Sequence, residues 1–155
     1  MKTQHKKLIL YLVVPLIVGG LATLLGGGTS DYQNILQPPL SPPGWVFPVV
    51  WTILYLLMGY ASYRVLTSGA EQAKIQTAMG LYGGQLALNF LWPVLFFGFD
   101  AFLPAFVLLC LLWVLIFLTI LSFSKLDKIA GDLLLPYLLW VTFAGYLNLG
   151  VYLLN

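Results

Sequence analysis

At 155 residues, 61% hydrophobic and 8% charged, with a mean hydropathy of +0.95, this chain cannot cover itself with a wetted surface; a soluble domain carries about 25% charged residues. A water-soluble helical bundle is excluded because its outer helices need a polar face, and a β-barrel because the apolar runs are long and do not alternate. The single histidine, His5, and the single cysteine, Cys110, exclude a histidine metal site, a Ser-His triad and an internal disulfide.

The seven basic and five acidic side chains cut the sequence into uncharged runs at 8–30, 32–63, 75–99, 101–124 and 133–155. Each run can supply the roughly 20 apolar residues of a membrane-spanning helix. The expected fold is therefore an all-α integral membrane bundle of five transmembrane helices, one domain over 1–155, with helices near 8–27, 43–66, 75–97, 101–124 and 130–153. Gln37, Pro38, Pro39, Leu40, Ser41, Pro42 and Pro43 cannot continue a helix, which leaves a loop near 28–42. The stretch 75–124 is too long for one crossing, so Gly98, Phe99 and Asp100 read as a tight turn between antiparallel helices. Pro93 and Pro104 flank that turn.

Positive residues collect on cytoplasmic loops. Lys2, Lys6 and Lys7 precede helix one, Arg64 and Lys74 flank the second connection, and Lys125 and Lys128 lie in the fourth. All seven fall on one side of a five-span chain, with Asp31, Asp100 and the C-terminus on the other. This predicts a cytoplasmic N-terminus and an outside C-terminus, and it makes the net charge of +2 a matter of topology, with no nucleic-acid partner. The basic start and first apolar run also fit a cleaved leader, with Gly19 to Ala22 as its site; removal would leave an even number of spans with the same loops.

No Asp, Glu, Lys or Arg lies deep in a predicted helix, which argues against an ion-driven pump and against acid–base hydrolysis. The interior chemistry is aromatic and amide. Trp51, Tyr55, Met58 and Ser62 fall on one face of helix two. Gln85, Asn89, Trp92 and Phe96 do so on helix three, and Trp140, Ala144 and Asn148 on helix five. Buried amides need partners, so these faces turn inward. They either clamp helices together or enclose a pocket for a large, flat, mostly apolar ligand. Trp45 reads as an interfacial belt residue and Trp113 as lipid-facing or packing. Gly80 with Gly84 and Gly83 with Ala87 are small pairs four apart, suited either to packing inside the bundle or to self-association.

Three blocks resemble the translocator protein family (TspO/MBR), also known as tryptophan-rich sensory proteins or peripheral benzodiazepine receptors. They are QPPLSPPGWVFPVVWTILYLLMGYASYRV from Gln37 to Val65, LYGGQLALNFLWPVLFFG from Leu81 to Gly98, and LLPYLLWVTFAGYLN from Leu134 to Asn148. The resemblance implies a five-helix bundle, often dimeric, in a bacterial plasma membrane. It implies a pocket closed by the first loop that takes porphyrins and isoquinoline or benzodiazepine-type ligands, with Tyr32, Trp51, Gln85, Asn89, Trp92, Trp140 and Ala144 as its residues. It places the dimer surface on helix three, at Gly80, Gly83, Gly84 and Ala87. Asp31 and Leu40 depart from the aromatic residues the family often carries there, and Tyr152 lacks the following basic residue of the animal sterol motif.

The function this implies is a binding protein for porphyrin-like tetrapyrroles, acting as sensor, carrier or scavenger, with no required cofactor. The resemblance also allows light-dependent porphyrin degradation, with Trp51 and Trp140 as the reacting tryptophans. Transport and a ligand-free structural role are the remaining alternatives. Free porphyrin suits the chain better than haem, since Met58 is the one soft donor in the inward faces.

Overall fold

The computed structural model describes residues 2–25 and 34–155. Six helices account for most of them: α1 (Lys2–Leu25), α2 (Val46–Leu66), α3 (Gln72–Pro93), α4 (Phe102–Leu126), α5 (Lys128–Leu133) and α6 (Leu135–Leu154). The all-helical expectation holds. By length and apolarity, α1, α2, α4 and the α5–α6 segment Lys128–Leu154 are able to cross a membrane. The fifth expected crossing, α3, is diluted by Gly80, Gly83, Gly84, Gln72, Gln76, Gln85 and Asn89, and does not reach the same apolarity.

Several boundaries differ from the sequence expectation, each for a local reason. Helix α1 begins at Lys2 rather than near residue 8, because charged residues end an apolar run without ending a helix. The expected last helix is two helices. Pro136 sits in the first turn of α6 and cannot donate back to the preceding turn, so the helical path breaks at Leu134 (φ −90°, ψ −7°). Pro93 ends α3, and the chain widens into one π-helical turn, Val94–Gly98. Asp100, at φ 50°, then reverses the direction, and Ala101 N–H donates to Leu95 O at 2.9 Å. The predicted tight turn is thus present.

Around the bundle α1 neighbours α2 and α3, α3 neighbours α4, α4 neighbours α6, and α5 leans on α2 and α4. Gly59 of α2 meets the backbone of α1: a Cβ there would stand 2.7 Å from Leu12 Cα and closer still to the Tyr11 carbonyl. Higher up, Gly19 of α1 faces the Tyr55 ring of α2, so the two helices run antiparallel. The core is apolar, with Met58, Ala61, Val65, Ile116 and Phe123 fully buried.

The basic residues gather at one end of this bundle. Arg64 at the end of α2 pairs with Asp127, Nη2 to Oδ2 at 3.0 Å and Nε to Oδ2 at 3.1 Å. Asp127 also caps α5, its Oδ1 accepting from Ala130 N–H at 3.1 Å. At the other end the described part of the first loop is strapped to α6. Asn155 Oδ1 accepts from Leu36 N–H at 3.3 Å, and its Nδ2 donates to Leu36 O at 2.9 Å. Tyr146 Oη donates to Pro39 O at 2.7 Å, and the Pro38 ring seats against Gly150, which has no side chain to obstruct it. Leu40, exposed and at φ 69°, is held in a left-handed conformation that non-glycine residues seldom adopt.

Candidate functional site

The inward faces read from helical spacing are inward. Tyr55, Met58 and Ser62 on α2, Gln85 and Asn89 on α3, Phe96 in the π turn, and Ala144 and Asn148 on α6 are all buried; Trp51, Trp92 and Trp140 are partly so. Their polar atoms form a chain across three helices. Tyr55 Oη donates to Asn89 Oδ1, Asn89 Nδ2 donates to Tyr137 Oη, and Tyr137 Oη donates to Gln85 Oε1, each at 2.7 Å. A second link runs from Trp92 Nε1 to Asn148 Oδ1 at 3.0 Å, and from Asn148 Nδ2 to Phe102 O at 2.8 Å. The amides therefore do clamp helices, as hydrocarbon surroundings demand. Among the described residues, Gln85 Nε2 and Trp140 Nε1 are buried without a hydrogen-bond partner.

Clamping does not close the interior. A cavity of about 420 Å³ lies beside the polar chain, a size within the range of small-molecule sites. Leu16, Gly19, Gly20, Ala22 and Thr23 of α1 form one wall; Phe47, Pro48, Trp51, Thr52 and Tyr55 of α2 another; Asn89, Trp92 and Pro93 of α3, with Phe97, the third. The surface is mostly aromatic and aliphatic, and Tyr55 and Asn89 bring the end of the polar chain to it. Trp51 stacks on Tyr55 with centroids 5.5 Å apart, and Trp92 on Phe96 at 5.1 Å, so the aromatic walls are held in place. At the rim, the hydroxyls of Thr23 and Thr52 turn back to Gly19 O (3.0 Å) and Pro48 O (2.6 Å) of their own helices.

The location corrects the sequence expectation. The cavity lies between α1, α2 and α3, not between helices two, three and the last. Trp51, Asn89 and Trp92 line it. Gln85, Trp140 and Ala144 do not: Gln85 is the buried far end of the polar chain, Ala144 is in the core, and Trp140 stands behind Phe47 at 6.0 Å, edge to face. Met58 is fully buried away from it. Tyr32 and Asp31 lie outside the described residues. The described strap, 34–42, packs on α6 and contributes nothing to the cavity lining. On α3, Gly80, Gly83 and Ala87 are exposed, but Gly84 faces Leu115 of α4, so the two small pairs do not share one surface. Trp45 is exposed, and Trp113, on the outer face of α4, donates from Nε1 to Thr142 Oγ1 at 2.8 Å.

Two features escaped the sequence reading. Tyr137 joins the two buried amides of α3, Gln85 and Asn89, to α6, and its position three residues before Trp140 puts it on the inward face. The α1 wall carries no amide or aromatic side chain; its signal was only the run of small residues Gly19, Gly20 and Ala22.

The TspO/MBR family model matches residues 9–154 of this sequence. The chain belongs to the TspO/MBR family. It is 43% identical over 124 residues to the tryptophan-rich protein TspO of Chlorobaculum tepidum, covering 80% of this chain and 78% of that one. It is 34% identical over 145 residues to protein CrtK of Rhodobacter capsulatus, covering 94% and 90%. It is also 40% identical over 124 residues to the translocator protein of Homo sapiens, covering 79% and 73%. The long apolar helices fit this TspO/MBR member as an integral membrane protein.

Proposed function

We propose that this TspO/MBR member binds flat, mostly apolar tetrapyrroles of the porphyrin type in the α1–α2–α3 cavity, as a sensor, carrier or scavenger. One observation carries the reading: indole walls from α2 and α3 face a void whose deep polar groups, among the described residues, are the neutral Tyr55 and Asn89. A planar ring system would lie against Trp51 and Trp92, each such contact contributing about 0.5–1.5 kcal/mol beyond burial. Acidic substituents would point to the rim, away from the interior. The name of one relative, the tryptophan-rich sensory protein of Cereibacter sphaeroides, accords with a sensing role.

The membrane arrangement belongs to the same proposal. All of α1, α2, α3, α4 and the α5–α6 segment cross a bacterial plasma membrane, with the basic end, Arg64–Asp127 included, in the cytoplasm. Helix α3 crosses despite its lower apolarity because Gln85 and Asn89 are bonded inside the bundle and its exposed glycine face meets a second copy of the chain.

Titration of the purified protein with protoporphyrin, followed by tryptophan fluorescence, tests the reading. Saturable binding is expected at a micromolar or tighter dissociation constant, about 8 kcal/mol. Trp51→Ala and Trp92→Ala should each weaken it about tenfold. Unchanged affinity in both variants would remove the site.

A further inference from the structure

We propose that Tyr137, which does not touch the cavity, is a positioning residue that fixes the hydrogen-bonding character of the cavity: it makes Tyr55 an acceptor toward the ligand. The inference rests on the cavity being a ligand site, but not on the ligand being a tetrapyrrole.

The argument is one of proton counting along the buried chain. A tyrosine hydroxyl has one proton to donate and two lone pairs. Gln85 turns its Oε1 to Tyr137, which commits the Tyr137 proton to Gln85 at 2.7 Å. Tyr137 can then only accept from α3, so Asn89 must present Nδ2 to it. That leaves Asn89 Oδ1 facing Tyr55, and the Tyr55 proton goes to Asn89. The Tyr55 oxygen, beside Gly19 in the cavity wall, keeps lone pairs and has no proton left for a ligand. A cavity otherwise lined mostly by rings and aliphatic groups, with the Thr23 and Thr52 hydroxyls bonded to their own helices and Asn89 bonded within the chain, thus favours a flat ligand carrying an N–H or O–H donor at its edge.

The order is set from the far end. Were Gln85 unable to accept, Tyr137 could donate to a turned Asn89, whose Nδ2 would then donate to Tyr55, and the Tyr55 proton would face the cavity. Buried donors and acceptors rarely go unmade, so the chain takes one direction or the other as a unit. In this direction Gln85 engages the chain through its oxygen alone, and its Nε2 is buried without a partner among the described residues.

The test uses two planar probes of nearly the same shape, carbazole with an N–H donor and dibenzofuran with an oxygen acceptor in its place. Both are titrated into the purified full chain, with and without substitution. The unsubstituted protein should prefer carbazole about fivefold, the ratio of one neutral hydrogen bond. Tyr137→Phe should bring the ratio to about one, and Gln85→Met should move it toward dibenzofuran. A purely structural role for Tyr137 would weaken both probes alike and leave the ratio standing. No preference in the unsubstituted protein, including binding of neither probe, overturns the proposal, as does a preference that survives in both variants. Protoporphyrin binding is scored separately: its failure with the carbazole preference intact removes the tetrapyrrole reading alone.

Discussion

Helix α3 has two buried sides with opposite uses. Toward α6 the helix is tied by hydrogen bonds: Gln85 and Asn89 to Tyr137, and Trp92 to Asn148. Toward α1, the same helix faces a void, although α1 and α2 touch backbone to backbone at Gly59 one turn below Tyr55. The contrast teaches that polar bonding holds the three helices in register on one side, which frees the other side from having to pack. A cavity in a membrane bundle needs such a clamp, because lipid supplies no hydrophobic force to draw the helices together.

The comparison breaks first at Gly59. A leucine there has no room against Leu12 and Tyr11, and Gly59→Leu is expected to cost about 3 kcal/mol or more, read as a lowered thermal unfolding midpoint in detergent. Full retention of stability would mean that α1 is not seated on α2 as described. Next comes the clamp. Asn89→Leu removes two interhelical hydrogen bonds and strands the Tyr55 hydroxyl, and should cost about 2 kcal/mol by the same measurement. The two indoles then sharpen the contrast. Trp92→Phe breaks the bond to Asn148 and should cost about 1 kcal/mol, whereas Trp140→Phe removes an N–H that has no partner among the described residues and should cost near zero.

The smallest effect is at the basic end. Burial opposes ionisation of Asp127, but hydrogen bonds from Arg64 and from the Ala130 N–H outweigh it and hold the carboxyl below its usual range. A depressed carboxyl stabilises the fold fully above the ordinary carboxylate range, and that contribution is lost as pH falls through the lowered value. Unfolding midpoints measured from neutral to acid pH should therefore decline, and Asp127→Asn should flatten the decline.

Much of this was legible in the residues. Uncharged runs located the helices, because charge is excluded from hydrocarbon. Spacing by three and four placed Tyr55, Gln85, Asn89 and Asn148 inward, because a buried amide cannot face lipid. The side on which space would remain was not legible. A void is a difference between helix positions, and no single side chain encodes it. The α1 wall was silent for the same reason: Gly19, Gly20 and Ala22 mark where atoms are missing. Pro136 did announce the break before α6, but an apolar run overrides a proline when length alone is counted. Tyr137 was hidden by its type, since a tyrosine near a helix start reads equally as an interfacial ring.

The strap has a consequence for biosynthesis. Its anchors, Tyr146 and Gly150 in the final helix and Asn155 at its C-cap, lie more than a hundred positions after Leu36, Pro38 and Pro39. Every partner named for the strap is therefore translated after α1 through α4. The described part of the first loop cannot make these contacts until the end of the chain has been made.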